Sequence, residues 1–339
     1  MSARADGAAS GAAMPRVSVA LGTHSGERFL GAQLASILEQ SYPVHEIVLS
    51  DDASTDGTVA LAERIVDEHR AAGGRVELRV LQNRPALGVT RNFEQALRAA
   101  AGDLVALSDQ DDVWRPDRVS RAVEAFAARP SVQLVASDAT LIDAGGADLG
   151  TTLFATLGLD DALRGRLDGP EAFDELLHRN LLTGATVMVR RELVERAAPF
   201  PDSWVHDEWL AMVASVTGGL AVLPDRLIGY RQHGANQIGV TALGWSGRLG
   251  KLREPRTERN ARLLARASDL AERLPGVAAT GSAVDDRLAE KLAHEHVRSA
   301  LPVSHLRRIA PVFREWRTGR YARYGLGAQD VLRDLVQPV

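Results

Sequence analysis

The feature that most constrains this chain is its early alternation of short β-rich runs with helical patterns. Residues 17–22, 46–50, 76–81, 104–108 and 132–137 read as strands. Between them, residues 29–39, 57–69, 89–101 and 117–128 space their apolar side chains as helices do. Such alternation predicts an α/β fold with a mostly parallel sheet and helices on both faces. Right-handed crossovers then bring the C-terminal ends of the strands to one edge, where ligands bind in sheets of this kind.

The polar residues of the sequence gather at that expected edge. Thr23, His24 and Ser25 end the first strand, Asp51 and Asp52 the second, and Asp109, Asp111 and Asp112 follow the fourth. Further on, residues 145–159 read as a loop, 170–178 as a helix, 184–189 as a strand and 191–197 as a short helix. Residues 205–216 read as a helix carrying His206, Asp207, Glu208 and Trp209. Residues 220–231 contain another strand or hairpin, ending in Gln232, His233 and Gly234. The pattern then changes to amphipathic helices rich in Arg and Leu at 254–274, 284–300, 306–317 and 328–336, punctuated by Pro255, Pro275, Pro302 and Pro311. Gly and charge interrupt the pattern at 244–252. The expected organisation is a disordered leader over 1–14, an α/β domain over 15–244 and a helical C-terminal region over 245–339.

Composition narrows the chemistry. The 339 residues include no cysteine, which excludes a disulfide framework, a thiolate nucleophile, an iron–sulfur cluster and cysteine-bound zinc. Any metal must sit on oxygen or imidazole ligands. No run reaches the ~18 apolar residues of a membrane span, and the small, polar first residues lack the apolar region of a signal peptide. A cytoplasmic protein is expected. Residues 241–339 carry 18 Lys and Arg against 11 Asp and Glu, so an acidic body precedes a basic tail in a chain of net charge −4. Basic helices of this kind suit a solvated surface or attraction to an anionic partner.

Three aspartates within four residues in SDQDDVW (108–114) repel one another at the end of a buried strand. A divalent cation such as Mg²⁺ or Mn²⁺ resolves that repulsion, because hard cations take carboxylate oxygens together with phosphates and water. A polar loop with a helix cap is the plainer reading of the same residues. In SDDASTDGT (50–58), turn and cap chemistry accounts for Ser54, Thr55 and Asp56 but not for the paired Asp51 and Asp52.

These residues resemble glycosyltransferase family 2 with the GT-A fold, and more narrowly its rhamnosyltransferase-like branch in bacterial surface polysaccharide assembly. The similar pieces run in order over about residues 15–238. They are VSVALGTHSGERFLGAQLASILEQSY, EIVLSDDASTDGT, LGVTRNFEQAL, DLVALSDQDDVW, LLTGATVMVRREL, HDEWLA and YRQHGANQIG. The resemblance implies an inverting transfer of one sugar from a nucleotide-sugar, with dTDP-rhamnose weighted first and a UDP-hexose second, to a glycan or lipid-linked acceptor hydroxyl. It places Thr23, His24, Glu27, Asp52, Arg91, Asp109 and Asp111 on the donor, with His24 and Ser25 standing where the family has an aromatic residue and Asn. Asp111 and Asp112 would divide ribose and metal roles, His233 would join the metal or diphosphate, and Asp109 would support the site. Asp207 is implied as the general base, with Glu208 and then His206 as rivals. Gly184, Thr186, Glu208 and Trp209 fall on the acceptor side. No QxxRW motif is found, which argues for addition of a single sugar.

Two other classes fit less well. A nucleotidyltransferase needs a Gly- and base-rich loop after the first strand, and THSGERF supplies one Gly and one Arg. A non-catalytic nucleotide- or carbohydrate-binding module would lack the base and metal site. A nucleic-acid partner does not suit the acidic body. The basic C-terminal helices suggest a homodimer contact or peripheral contact with the inner face of the cell membrane.

Overall fold

The computed structural model describes residues 14–233, 255–277 and 281–338. The proposed boundary at 244–252, Gly234 and nearly all of the leader lie outside the described residues. Strands β1 (Val17–Thr23), β2 (Val44–Asp51), β3 (Glu77–Gln82) and β4 (Leu104–Ser108) alternate with helices α1 (Glu27–Leu38), α2 (Thr58–Ala71) and α3 (Val89–Ala99). After β5 (Val113–Trp114) come α4 (Arg118–Ala128), β6 (Leu134–Ile142), β7 (Asp148–Thr152), α5 (Leu153–Leu157), α6 (Asp161–Leu167) and α7 (Ala172–His178). A 3-10 turn over Gly184–Thr186 leads into β8 (Val187–Arg190), α8 (Arg191–Ala197), α9 (His206–Thr217) and β9 (Leu220–Arg231).

The described strands form one nine-stranded sheet in the order β3-β2-β1-β4-β8-β6-β9-β5, with β7 on β6. Pairing is parallel through β3, β2, β1 and β4, and again between β6 and β9. Strand β8 lies antiparallel between β4 and β6. The expected mostly parallel sheet is thus present. Period-two alternation explains the layering: Val17, Val19 and Leu21 of β1 join one core with Leu30 and Leu34 of α1, while Ala20 faces a second core with Phe93 and Leu97 of α3.

Three local expectations are corrected. Residues 145–159 are not a loop; they hold β7 and α5. Nearly every residue of β7 is solvent-exposed, so no apolar alternation marks it. In 184–189 the first three residues form the 3-10 turn, because Thr186 N–H bonds the Thr183 carbonyl at 2.9 Å before β8 begins. Pro275 lies inside a helix rather than just beyond its end, and Pro311 lies inside the helix expected over 306–317. A proline there forfeits one backbone bond, and the Arg307 carbonyl that Pro311 leaves unbonded belongs to an exposed residue that water reaches.

The C-terminal helices are α10 (Arg256–Val277), α11 (Ser282–Ser299), α12 (His305–Arg317), α13 (Arg320–Tyr324) and α14 (Ala328–Val336). Leu270, Leu274, Leu288 and Tyr324 belong to the same apolar core as Trp209 and Leu210 of α9. The basic character of this region is partly internal. Arg256, Arg298 and Arg308 are buried: Arg298 Nε donates to Asp334 Oδ2 at 2.8 Å, and Arg308 donates to the Gln337 carbonyl at 2.7 Å.

Candidate active site

Sheet topology sets a cavity of about 450 Å³ at the C-terminal ends of β1, β2 and β4, closed on the far side by α9. Its wall includes Thr23, His24, Asp52, Asp109, Asp111, Asp207 and His233. A second cavity of about 520 Å³, between α3 and α8, is lined by Leu97, Arg98, Arg191, Glu195 and Pro199. It holds none of the strand-end residues.

On the β1–β2 side, hydrogen bonds fix the loops. Thr23 Oγ1 donates to Asp51 Oδ1 at 2.9 Å, and Asp51 also accepts from Ser54 N at 3.0 Å. Asp52 accepts the Leu87 and Gly88 N–H groups at 2.6 and 2.9 Å, which holds the loop before α3. Gly88 there has φ 82°, a left-handed conformation suited to glycine. The His24 ring bonds the Asp52 carbonyl through Nδ1 at 2.6 Å. Gln110 braces the same loop, accepting His24 N–H at 2.8 Å and donating to the His24 carbonyl at 3.1 Å. A Cβ on Gly26 would stand 2.1 Å from Gln110 Oε1, so only glycine admits that brace.

The aspartates separate by orientation. Asp109 and Asp111 face the cavity, whereas Asp112 is 1% exposed and absent from its wall. Asp112 Oδ1 accepts Arg231 N–H at 2.9 Å, and its Oδ2 is buried without a hydrogen-bond partner among the described residues. Burial, then the Asp109 and Asp111 charges, push its pKa well above the carboxylate range. Asp112, expected as a metal ligand, thus stands behind the wall that Asp109 and Asp111 form. Asp111 Oδ2 instead stands 2.7 Å from His233 Nε2, and the His233 ring stacks on Phe29 with centroids 4.7 Å apart. Burial, then Asp111, then Asp207, raise Asp109 to about 7.

Beneath the cluster lies a cation that sequence reasoning missed. Arg118 is 2% exposed, donates to the Ala185 and Leu107 carbonyls at 2.8 and 3.1 Å, and stacks 3.6 Å from the Trp114 ring centroid. Burial lowers its pKa to about 9, while Asp112 and Asp109 pull it back up. In sequence it is one more arginine on an amphipathic helix. Arg28 at the cavity wall was also passed over, although it lies inside the quoted THSGERF segment.

On the α9 side, Asp207 is 8% exposed. Its Oδ2 accepts Gly184 N–H and its Oδ1 accepts Glu208 N–H, both at 2.7 Å. Burial raises its pKa; these amide bonds oppose the shift. Glu208 also reaches the wall but is ion-paired with Arg266 of α10. His206 stacks on Phe93 with centroids 4.0 Å apart, and neither ring nitrogen has a hydrogen-bond partner among the described residues. Burial holds it neutral, at a pKa of about 3, which removes it as a base that cycles near neutral pH.

Four further expected site residues stand elsewhere. Glu27 is exposed and caps α2, accepting Gly57 N–H at 3.0 Å. Arg91 bonds Glu94 and Asp202 outside the cavity wall. Thr186 turns its hydroxyl to the Thr183 carbonyl at 2.8 Å. Trp209 is 1% exposed, with Nε1 donating to the Ala197 carbonyl at 2.8 Å, so it packs the core and cannot stack on a sugar. Linear spacing places all four near the site; the helix face or loop side each occupies turns them away.

Asp111 and His233 fit a divalent cation. Together they offer a carboxylate oxygen and an imidazole at the cavity wall, and such cations complete their shell with substrate phosphates and water. Among the described residues no group of three or more His, Asp or Glu converges as a full protein cage.

Residues 18–167 match the family described as Glycosyl transferase family 2. A Bacillus subtilis protein named as the glycosyltransferase EpsE is 33% identical over 38% of this chain and 45% of its own length. Another from the same organism, named for teichuronic acid biosynthesis (TuaG), is 30% identical over 46% of this chain and 60% of its own. The chain spans about half the length of these curated relatives. Among solved structures, S. aureus TarS 1-349 in complex with UDP-GlcNAc superposes with a TM-score of 0.57 at 17% identity, covering 94% of this chain and 89% of that one. The mannosyltransferase PcManGT of Pyrobaculum calidifontis, in complex with GDP-Man and Mn²⁺, gives 0.52 at 20%, covering 94% and 78%. The chain therefore has a GT-A-like fold, and the part of it that matches the glycosyl transferase family 2 description includes the ends of β1, β2 and β4 at the cavity.

Proposed function

We propose that this chain is an inverting glycosyltransferase that moves one sugar from a nucleotide-sugar to an acceptor hydroxyl in polysaccharide synthesis. The observation that carries the reading is the facing of Asp109 and Asp111 by Asp207 across one cavity, close enough for Asp207 to raise the pKa of Asp109. Donor-side carboxylates and a buried base then flank a space sized for a sugar. The base stacks in the Thr23–Asp52 corner, and Asp109 meets the ribose. Asp111 and His233 would hold a Mg²⁺ or Mn²⁺ ion, which supplies charge neutralisation to the diphosphate. Asp207 takes the acceptor proton while the acceptor oxygen bonds the anomeric carbon and the bond to the diphosphate breaks. Glu208, tied to Arg266, positions α9 rather than acting as the base.

Resemblance of the motifs weights dTDP-rhamnose first as donor and a UDP-hexose second. UDP-GlcNAc and GDP-Man in the two solved relatives support a nucleotide-sugar of some kind. A thermal-shift screen of nucleoside diphosphates with Mn²⁺ tests the site, since a ligand bound to the folded state raises the melting temperature. Turnover of dTDP-rhamnose or UDP-hexoses, read as released nucleoside diphosphate, then identifies the donor. Failure of every nucleoside diphosphate to shift the melt would overturn the reading.

A further inference from the structure

The C-terminal helices present a face that the core does not use. Helix α12 buries Arg308, Val312 and Glu315 against its neighbours. Elsewhere on its surface Leu306 is 81% exposed, Ile309 54%, Phe313 52% and Trp316 53%. Steps of three, four and three residues put these side chains in one stripe along the helix. Phe313 and Trp316 ring centroids lie 5.7 Å apart within it, and exposed Val303 precedes it. A continuous exposed apolar stripe of this size marks an interaction surface.

Charge selects the occupant. Between residues 303 and 323 the only acid is Glu315, which is buried against His294. Arg320 and Arg323 are ion-paired with Glu315 and Glu290. Arg307, Arg314 and Arg317 are exposed and make no ion pair among the described residues. At about 100° per residue, Arg317 borders the stripe and Arg314 and Arg307 follow in a row on the Leu306 side. An apolar stripe edged by basic side chains is the pattern of a helix lying in a membrane interface, its arginines reaching the headgroups. A second copy fits poorly, because a two-fold contact pairs the same patch with itself and sets arginines against arginines.

We propose that α12 docks on an anionic lipid bilayer, with Leu306, Ile309, Phe313 and Trp316 entering the acyl boundary and Arg307, Arg314 and Arg317 meeting lipid phosphates. The proposal stands on this surface alone and is independent of the catalytic reading. Membrane docking would bring the cavity to acceptors carried on lipid.

Flotation of the full chain with vesicles tests it. Wild-type protein floats with vesicles of phosphatidylglycerol and phosphatidylcholine in equal amounts, and stays behind with phosphatidylcholine alone or in high salt. The triple variant R307E/R314E/R317E partitions at least about a hundredfold more weakly, from the worth of each basic residue at such a surface. F313S/W316S also fails to float. All five side chains are exposed, so both variants melt with the wild type. Should either variant fold poorly, the conservative Trp316→Phe serves: brominated lipid quenches wild-type tryptophan emission more than that of Trp316→Phe. Wild type that ignores anionic vesicles, variants that float equally, or equal quenching overturn the proposal. So does a solution dimer that F313S/W316S dissociates, which would assign the stripe to a second copy.

Discussion

The Asp207 carboxylate accepts the Gly184 N–H at 2.7 Å, joining the first turn of α9 to the loop that precedes β8. A second amide, Glu208 N–H, holds the other oxygen at the same distance. The carboxylate is therefore oriented before any acceptor arrives, and burial raises its basicity. Asp207→Asn keeps the shape and an oxygen for Gly184 but removes the base. We expect kcat to fall by about 10²–10⁴ with donor affinity retained. Glu208→Gln should keep most of its activity. Released nucleoside diphosphate measures both, and a near-wild-type kcat for Asp207→Asn would remove that residue from the role assigned.

The ion pair between Glu208 and Arg266 gives the C-terminal region a direct hold on the site. Their side chains are 14% and 23% exposed, and Arg266 also stacks 3.9 Å from the Trp204 ring centroid. Arg266→Met leaves a partly buried carboxylate without its partner. The expected cost is about 2 kcal/mol, below that of a fully buried pair because water reaches both groups. Adding Glu208→Gln to Arg266→Met should recover part of that loss in urea unfolding. Strictly additive losses would show that the two side chains do not interact.

Much of this was legible in the sequence, for identifiable reasons. Strand β4 (Leu104–Ser108) and helices α8 and α14 stand where their apolar spacing puts them. Asp109, Asp111, Asp207 and His233 reach one cavity because strand ends and a helix start are positions that topology collects. Orientation was not legible. Asp111 and Asp112 are adjacent, yet one faces the cavity and the other is buried under Arg231. Nothing in the run DD states which. Arg118 was hidden by the opposite difficulty: a buried arginine and a surface one look alike on a helix, and only the sheet above shows that it sits under the aspartates.

Acid should destabilise this protein through His206. Burial lowers its pKa from 6.5 to about 3, so the unfolded chain binds a proton that the folded one refuses. The stability due to its neutral form is complete above pH 6.5 and is lost as pH falls toward 3. At pH 5 the loss is roughly 2 kcal/mol. Urea unfolding of wild type and His206→Gln at pH 5 and 8 measures it. The variant should show a smaller drop between the two pH values, and an equal drop would mean that His206 is protonated in the fold.

Two loops at the Thr23–Asp52 corner of the cavity hold backbone that their residues resist. Ala53 has φ 62° and Ser25 has φ 47°, and neither is glycine. The left-handed region brings Cβ against the following carbonyl oxygen, at a cost of about 1–2 kcal/mol. The surrounding bonds impose it: Ser25 N–H donates to Ser54 Oγ at 2.7 Å, and Asp51 accepts Ser54 N–H across Ala53. Ala53→Gly removes the clash but loosens the unfolded chain, which offsets part of the gain. The net expectation is stabilisation by about 0.5–1 kcal/mol, seen as a melting temperature raised by a degree or more. Ser25→Asn should act in the same direction, since Asn tolerates this region better than Ser. A lower melting temperature in both variants would show that the loops relax to other conformations once the side chains change.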